Sequence, residues 1–269
     1  MILNFTKMHG CGNDYIFLPP EESNVPDPEG LSLRLSERRF SVGSDGLVLL
    51  TGDRESGFGM RIFNSDGSEG MVCGNALRCA ALFFVGRGYT DRTVFDIKTA
   101  SGSRRVTVND GGSVTVDMGR ASIIADRAGL PMINRPLIVG GVRYRMTAVS
   151  VGNPHQVSFL PDPDAVPLDA VGKMFERNHS GGINTEFAKM TGRNSLSVRV
   201  YERGSGETLA CGSGASAVAA AAVLTGRCDS DVPITVKMPG GSLTVTVTDG
   251  LDITLTGEAV FVYDGMIEV

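Results

Sequence analysis

Short runs of alternating apolar and polar residues recur along the chain, and they predict β-strands joined by tight turns. Residues 106–116 form one such pattern, in which two Val-Thr-Val runs flank Asn109–Gly112, as in a β-hairpin with a glycine-containing turn. Residues 243–255 repeat the pattern around Asp249-Gly250. We therefore expect a mostly antiparallel sheet in each half of the chain.

Two continuous stretches without proline predict helices over Asn75–Val85 and Ser213–Leu224. Gly88 and Gly226 follow them, and glycine commonly ends a helix because it adopts the left-handed conformation without strain. The second stretch is apolar on nearly every face, which indicates a buried helix. We expect each half to be a sheet wrapped around one central helix. Loops are expected at residues 24–30, 161–167 and 121–136, the last of which would join the halves.

The two predicted helices belong to a cassette that occurs twice. The first copy reads NSDGSEGMVCGNALRCAALFFVGRG around Cys73, and the second reads YERGSGETLACGSGASAVAAAAVLTGR around Cys211. Asn13 in a Gly-Asn pair lies 60 residues before Cys73, and Asn153 in a second Gly-Asn pair lies 58 residues before Cys211. The repeat predicts an α/β fold of two pseudo-symmetric lobes, residues 1–117 and 118–257. Residues 258–269 would complete the first lobe, and the active site would lie in the cleft between the lobes.

Composition and charge narrow the class of protein. The 269 residues are 42% hydrophobic with a mean hydropathy near zero, which is typical of a globular protein with sizeable cores. The net charge is −5 and no long basic cluster occurs, which argues against a nucleic-acid partner. The N-terminal segment has no apolar core of signal-peptide length, and the apolar stretch 215–224 is too short to span a bilayer. We expect a cytoplasmic protein that does not bind membranes, with free thiols among its five cysteines.

Cys73 and Cys211 each stand immediately before a predicted helix. A thiol has a pKa of about 8.5, and the partial positive charge of a helix N-terminus can lower it. Asn75 and Ser213 are residue types that commonly cap helices, and the exposed amides there can bind a carboxylate. Two equivalent cysteines therefore predict an acid and a base on opposite faces of one amino-acid α-carbon. The sequence leaves open which of the two is the thiolate in the resting enzyme.

Six motifs follow one another along the chain and together resemble the diaminopimelate epimerase family. They are HGCGND, NSDGSEGMVCGN, GNPH, INTEFA, YERGSGETLACGSG and the terminal VYDG. The resemblance implies two α/β lobes with a substrate cleft between them, and a reaction without pyridoxal phosphate, metal or other cofactor. It further implies interconversion of LL- and meso-diaminopimelate in lysine and cell-wall precursor synthesis, by an enzyme that is a homodimer.

The same resemblance assigns roles to individual positions. Cys73 and Cys211 would be the catalytic base and acid, exchanging roles with the direction of the reaction. His155 and Glu202 would tune the pKa values of the two thiols, and Tyr263 would lie at the dimer contact. The family's substrate contacts fall on Asn13, Gly46, Asn64, Gly74, Asn75, Asn153, Asn184, Glu202, Arg203, Gly212 and Ser213.

The chain departs from the family pattern at three positions near these motifs. Ala76 stands where glycine is common, and Cys11 stands where an apolar residue is common. Gly46 stands where some members have a glutamine that contacts substrate, so this residue could offer only its backbone. None of the three is one of the two catalytic positions.

Three other functions are weighed against this one. Proline racemases and hydroxyproline epimerases also use two cysteines, but their first cysteine is usually followed by Gly-His rather than by Gly74-Asn75. Residues 212–217 fit the loose dinucleotide-binding pattern GxGxxA, but no acidic ribose ligand follows at the right distance. A zinc site is unsupported because the sequence contains no Cys-x-x-Cys pair.

Overall fold

The computed structural model describes residues 2–269, and the chain divides into two compact units. The first unit consists of the residues up to Asp117 together with Gly257–Val269, and the second consists of Met118–Thr256. Among the described residues, every helix is too short or too polar to cross a membrane.

The elements of the first half come before the boundary at Asp117 or run across it. Its helices are α1 (Pro28–Ser36) and α2 (Gly74–Gly86). Its strands are β1 (Ile2–Gly10), β2 (Asn13–Leu18), β3 (Gly46–Asp53), β4 (Gly57–Asn64), β5 (Glu69–Gly70), β6 (Val94–Thr99), β7 (Gly102–Val108) and β8 (Ser113–Arg120).

The remaining elements follow in a similar order. The helices are α3 (Leu168–Asn178) and α4 (Gly212–Leu224). The strands are β9 (Ser122–Ile123), β10 (Arg135–Val139), β11 (Val142–Ser150), β12 (Pro154–Phe159), β13 (Asn184–Gly192), β14 (Ser195–Glu202), β15 (Gly206–Thr208), β16 (Ile234–Met238), β17 (Gly241–Val247), β18 (Asp252–Glu258) and β19 (Val260–Glu268).

The two units repeat one pairing scheme. In the first, β1 pairs antiparallel with β2, β2 parallel with β3, β3 antiparallel with β4, and β4 parallel with β6, which pairs antiparallel with β7. In the second, β11, β12, β13, β14, β16 and β17 pair with the same alternation. The C-terminal strand β19 pairs antiparallel with β1. The α/β fold class predicted from the sequence, with its pseudo-symmetric and mostly antiparallel sheets, is confirmed.

Each sheet holds one helix against one face and a second helix against the other. Helix α2 contacts β1, β2, β4 and β7, and helix α4 contacts β11, β12, β13, β16 and β17. Burial explains the composition of α4, in which ten of the thirteen residues are buried and most of these are alanine. On the outer faces, Leu31 and Leu35 of α1 pack in the core with β3, and Val171 and Phe175 of α3 pack in the core with β13 and β14.

The predicted helix ends and hairpins match the structure closely. Gly88 and Gly226 have φ angles of 77° and 67°, so glycine does follow each central helix in the left-handed conformation. Val106 pairs with Val116, and Val245 pairs with Leu255, as expected for the two hairpins.

The loop predictions need two corrections. Helix α1 begins at Pro28, inside the segment predicted as a loop, because the Asp27 carboxylate accepts a hydrogen bond from Gly30 N and proline fits the first helical turn. Residues 121–136 do not join the units, since the boundary lies at Asp117 and this segment belongs to the second unit, where it carries β9.

Candidate active site

In each unit, a candidate catalytic cysteine lies at the N-terminus of the central helix, and the cysteine with the residues around it forms a half-site. Cys73 and Cys211 are the N-cap residues of α2 and α4, with extended backbones (φ −131°, ψ 121° and φ −130°, ψ 115°). The prediction that Asn75 and Ser213 cap these helices is wrong. These two residues lie in the first helical turn, because the chain already enters helical geometry at the glycine after each cysteine.

In the first half-site, the Asn13 side chain joins the cysteine to the helix. Its Oδ1 accepts hydrogen bonds from Cys73 Sγ at 3.4 Å and from Asn75 Nδ2 at 3.1 Å. Its Nδ2 donates to Asp45 Oδ2 at 2.7 Å, and Asp45 is held in turn by Arg38 at 2.8 Å. The two ends of the Asn13 amide therefore have different partners, which fixes the carbonyl oxygen toward the sulfur.

Tyr15 is a third neighbour of the Cys73 thiol. Its ring is buried, and its hydroxyl hydrogen-bonds with the side chains of Cys73 and Asn13. Burial, followed by the charge of the Cys73 thiolate, raises the pKa of the Tyr15 phenol well above its usual value. The phenol therefore stays protonated and available as a donor to sulfur at neutral pH.

The Arg78 side chain holds the first turn of α2 in place through hydrogen bonds. Its side chain is fully buried, and its guanidinium donates to Asn75 Oδ1 at 2.9 Å, to the Gly74 carbonyl at 3.2 Å and to the Glu258 carbonyl at 3.3 Å. These bonds hold Gly74 and Asn75, two of the predicted carboxylate contacts, in one orientation.

Gly46 and Asn64 lie opposite each other at the ends of β3 and β4. A Cβ atom at Gly46 would lie 2.2 Å from the Phe63 carbonyl oxygen, so this backbone leaves no room for a side chain. The Asn64 side chain is exposed and donates to Ser68 Oγ at 3.0 Å. Strand pairing thus brings both residues to the end of the sheet where Tyr15 pairs with Gly46.

In the second half-site, the sulfur itself caps the helix. Cys211 Sγ accepts a hydrogen bond from Gly214 N at 3.3 Å and lies 3.3 Å from Ser213 Oγ. Gly212 is buried at the helix start, where its carbonyl accepts from Ser216 Oγ at 2.9 Å. One backbone amide of the first turn, Gly214 N, therefore donates a hydrogen bond to the sulfur.

The Cys211 thiol does not have the lowered pKa that its helix position alone predicts. Burial raises the pKa of this thiol well above its usual value, and the Glu202 and Glu186 carboxylates raise it further. Hydrogen bonds from Ser213 and Gly214 N act in the opposite direction but do not compensate. Cys211 is consequently a thiol at neutral pH in this conformation.

We expect Glu202→Gln to lower the pKa of Cys211, because a carboxylate charge near a thiol disfavours the thiolate. The midpoint of thiolate formation should therefore move to lower pH. It is measured as the pH-dependent ultraviolet absorbance of thiolate, taken as the difference between each protein and its Cys211→Ala form. Glu207→Gln is the matched control, because Glu207 pairs with Arg199 at 2.8 Å. An unchanged or higher midpoint in Glu202→Gln would contradict this electrostatic account.

His155 lies at the centre of a hydrogen-bonded chain in the second unit. Its Nδ1 is 2.6 Å from Glu186 Oε1, and its Nε2 is 3.0 Å from Asn153 Oδ1 and 3.5 Å from Asn184 Nδ2. His155 and Glu186 are both completely buried. The parallel pairing of β12 with β13 puts His155 opposite Asn184.

Glu202 is the last residue of β14, and Arg203 follows it next to the hydrogen-bonded chain around His155. The Glu202 carboxylate accepts from Thr208 Oγ1, and the Arg203 backbone N–H donates to Asn184 Oδ1 at 2.8 Å. The Arg203 guanidinium is exposed and donates to the Gly181 carbonyl at 2.7 Å. It lines a surface depression that carries both basic side chains, such as Lys173, and acidic ones, such as Glu176.

Four residues with clear structural roles in the half-sites are not predicted from the sequence: Tyr15, Asp45, Arg78 and Glu186. The repeat contains a signal for Tyr15, because Gly12-Asn13-Asp14-Tyr15 aligns with Gly152-Asn153-Pro154-His155. No spacing rule indicates Asp45 or Glu186, which reach their partners through strand pairing.

The other cysteines and Tyr263 lie apart from these networks or beneath them. Cys79 is completely buried within α2, which raises the pKa of its thiol to about 12. Cys11 and Cys228 are buried as well. Tyr263 is 46% exposed on β19, with its ring edge against Phe5. Within the described residues, no three His, Cys, Asp or Glu side chains form a group that could hold a metal ion.

Comparisons with known proteins identify close relatives. The family model described as diaminopimelate epimerase matches residues 5–124 and 147–262. A diaminopimelate epimerase of Acetivibrio thermocellus is 40% identical over 99% of this chain and 99% of the relative. Those of Synechococcus elongatus and Methanococcus maripaludis are 41% and 38% identical, again over 99% or more of each chain.

Solved structures with low sequence identity share the fold. A PhzF-family phenazine biosynthesis protein of Bacillus anthracis superimposes with a TM-score of 0.74 at 16% identity, covering 100% of both chains. A hydroxyproline epimerase of Agrobacterium vitis superimposes with a TM-score of 0.73 at 16% identity, covering 99% of this chain and 92% of the other.

Proposed function

The chain belongs to the diaminopimelate epimerase family and is an isomerase, and on this basis we propose that it interconverts LL- and meso-diaminopimelate with two cysteines. Cys73 and Cys211 would both act on the α-carbon of the substrate. One sulfur, as thiolate, removes the α-proton, and the other, as thiol, delivers its own proton to the opposite face. The proton count is conserved, and the two sulfurs end the turnover with exchanged protonation states.

One observation carries this proposal: both cysteines are N-caps of equivalent buried helices with nearly identical backbone angles. At such a position, free amide N–H groups and the helix dipole favour an anion. The amides of Gly74, Asn75, Gly212 and Ser213 would bind the reacting carboxylate and offset its charge. This neutralisation would stabilise the carbanion that forms when the α-proton leaves.

The remaining contacts suit a substrate with a second charged end. Asn64, Asn153 and Asn184 offer amide groups, and the exposed Arg203 guanidinium offers a fork that binds a carboxylate through two parallel hydrogen bonds. Glu202 would face the substrate ammonium and also influence Cys211. A proline-type substrate would leave the arginine and these amides without a partner.

We expect Arg203→Lys to raise KM at least tenfold with a smaller effect on kcat, because lysine cannot reproduce a two-point contact with a carboxylate. Steady-state kinetics with LL-diaminopimelate measure both constants. Arg199→Lys is the control, since Arg199 on β14 donates to Glu207 and to the Pro163 carbonyl. If both variants keep the KM of the unmodified protein, Arg203 is not the contact for the distal carboxylate.

The function is tested by incubating LL-diaminopimelate in deuterated water with reduced protein and no added cofactor, followed by chiral separation and mass analysis. Meso product that carries one deuterium at its α-carbon is the expected result. If folded, reduced protein gives neither product nor exchange, diaminopimelate is not the substrate. Hydroxyproline and proline would then be tested in the same assay.

Assembly and pathway are further parts of the proposal. We propose a homodimer, since β19 presents exposed Val262, Tyr263 and Met266 along a strand that ends the sheet beside β1. Sedimentation velocity over a range of concentrations decides between monomer and dimer. By the family resemblance, we assign the reaction to lysine and cell-wall precursor synthesis.

A further inference from the structure

Glu186 is a carboxylate in a place where carboxylates are rarely found. Its side chain is completely buried on β13, and its Oε2 has no hydrogen-bond partner among residues 2–269. Burying an unpaired charge is costly, and such groups are usually paired or neutral. Within the described chain, its side-chain hydrogen-bond partner is His155, at 2.6 Å.

The shorter contacts of His155 indicate where its protons lie, since Asn153 Oδ1 is 3.0 Å from Nε2 and Asn184 Nδ2 is farther away, at 3.5 Å. A neutral imidazole carries one N–H, yet oxygen atoms lie at both ring nitrogens: Glu186 Oε1 at Nδ1 and Asn153 Oδ1 at Nε2. Both contacts are favourable when Nε2 carries a proton and a second proton lies between Nδ1 and Oε1. The pair then has no net charge, whether the second proton is nearer to nitrogen or to oxygen.

The surroundings favour this net-neutral pair. A pair without the second proton would carry a buried negative charge near Glu202 and Cys211, the two titratable groups that face it. Burial also raises the pKa of the Glu186 carboxyl, with a further increase from Glu202 and an opposing effect from His155.

We propose that Glu186 is a positioning residue that keeps His155 in its Nε2–H form. This N–H then holds the Asn153 carbonyl oxygen toward the imidazole ring. Asn153 Nδ2 then points away from His155 as a donor. This orientation suits the carboxylate of the substrate, so its catalytic consequence rests on the proposed function. The state of His155 itself is a property of the ligand-free protein.

The first unit shows what the same strand position does without a carboxylate. The pairings of Tyr15 with Gly46 and of His155 with Asn184 align Val48 with Glu186. Where valine stands, Tyr15 bonds the cysteine and Asn13 directly, and the Asn13 carbonyl faces Cys73. The two halves therefore orient their equivalent asparagines by different means.

The absence of a side chain at Gly214 leaves room for the Glu186 carboxylate. A Cβ atom at Gly214 would lie 3.0 Å from Glu186 Oε1 and 3.4 Å from Cys211 Sγ. The equivalent residue in the first unit is Ala76. A glycine is thus present on the helix that faces the buried carboxylate, and alanine is present on the helix of the other unit.

The first experiment is NMR of the imidazole nitrogens in ligand-free, histidine-labelled protein. The chain has three histidines, and His155→Gln assigns the resonances of His155. We expect Nε2 to be protonated in the unmodified protein. In Glu186→Gln the second proton has no acceptor of equal strength, so a mixture of ring forms is expected. An Nε2 without a proton in the unmodified protein, or ring forms that are unchanged in Glu186→Gln, would overturn the proposal.

The second experiment measures the consequence for turnover. We expect Glu186→Gln to lower kcat/KM by about 10- to 100-fold, mainly through KM, since Asn153 then turns its oxygen toward the carboxylate. In a His155→Gln background, Glu186→Gln should add no further loss, because its effect passes through His155. Glu207→Gln is the surface control. Independent, additive losses in the double variant would refute the positioning role.

A second variant covers the case in which Glu186→Gln does not fold. Glu186→Val introduces the residue that the first unit carries at the aligned position, and it should change the His155 ring form in the same way. If the NMR results are as expected but the unmodified protein does not epimerise diaminopimelate, the proposed function fails and the assignment of His155 stands. If epimerisation is normal and the ring form does not depend on Glu186, the proposed function stands and the positioning role of Glu186 fails.

Discussion

Replacing either Cys73 or Cys211 by alanine is expected to lower the rate of epimerisation by about two to four orders of magnitude, while the protein stays folded. Each thiol is proposed to carry one of two proton transfers, and acid–base groups of this kind contribute about 10²- to 10⁴-fold each. The measurement is the rate of meso-isomer formation from the LL-isomer, with circular dichroism as the check on folding.

The controls separate a catalytic thiol from a structural one. Cys228→Ala should keep normal activity, because Cys228 is buried beyond the end of α4 and lies outside both half-sites. Each single catalytic variant should still exchange the α-proton of one isomer in deuterated water, since one base remains. A Cys73→Ala or Cys211→Ala protein that epimerises at the normal rate would exclude the two-base mechanism.

Gly172→Ala is expected to lower the free energy of unfolding by about 1–2 kcal/mol, although alanine is the better helix former. A Cβ atom at this position in α3 would lie 2.2 Å from Cγ of the buried Tyr201 ring. Overpacking of this kind typically costs about 1–3 kcal/mol and occasionally more, whereas the gain in helix propensity is about 1 kcal/mol. With an overlap this large, the steric cost exceeds the gain.

Chemical denaturation of the variant measures the loss. Lys173→Ala is the matched control on the next residue of α3, where the side chain is exposed and the expected change is within about 0.5 kcal/mol. Activity should also fall in Gly172→Ala, because α3 packs on the strands that carry Asn184 and Glu202. A variant as stable as the parent would mean that α3 can shift away from the sheet freely.

The elements predicted correctly are those whose signal is local. The hairpins at Asn109–Gly112 and Asp249-Gly250 combine alternating strands with turn residues, and both determinants lie within about a dozen residues. The central helices carry a continuous apolar pattern and a terminal glycine. Helix α1 was not predicted because it is only nine residues long and its stabilising contacts, through Leu31 and Leu35, are with strands that are distant in sequence.

The electrostatics of the half-sites needed the tertiary structure. A helix N-terminus predicts an acidified thiol, and that effect is present at Cys211 as the bond from Gly214 N. Burial and the carboxylates of Glu202 and Glu186 outweigh it, and those groups are 9 and 25 residues away in sequence. Their proximity depends on the pairing of β13 and β14 beside α4.

The sequence by itself determined the repeat, the two cysteines, the helices that follow them and the family, because each of these is written in residue types at fixed spacing. Only the tertiary structure decided which further groups surround each sulfur: Tyr15 and Asn13 lie beside Cys73, and Glu186 lies beside Cys211 in addition to the Glu202 that the family resemblance implies. The physical reason is that parallel strand pairing joins residues about 30 positions apart, such as His155 with Asn184 and Glu186. Charge, burial and proton location follow from that pairing, and spacing along the chain does not encode them.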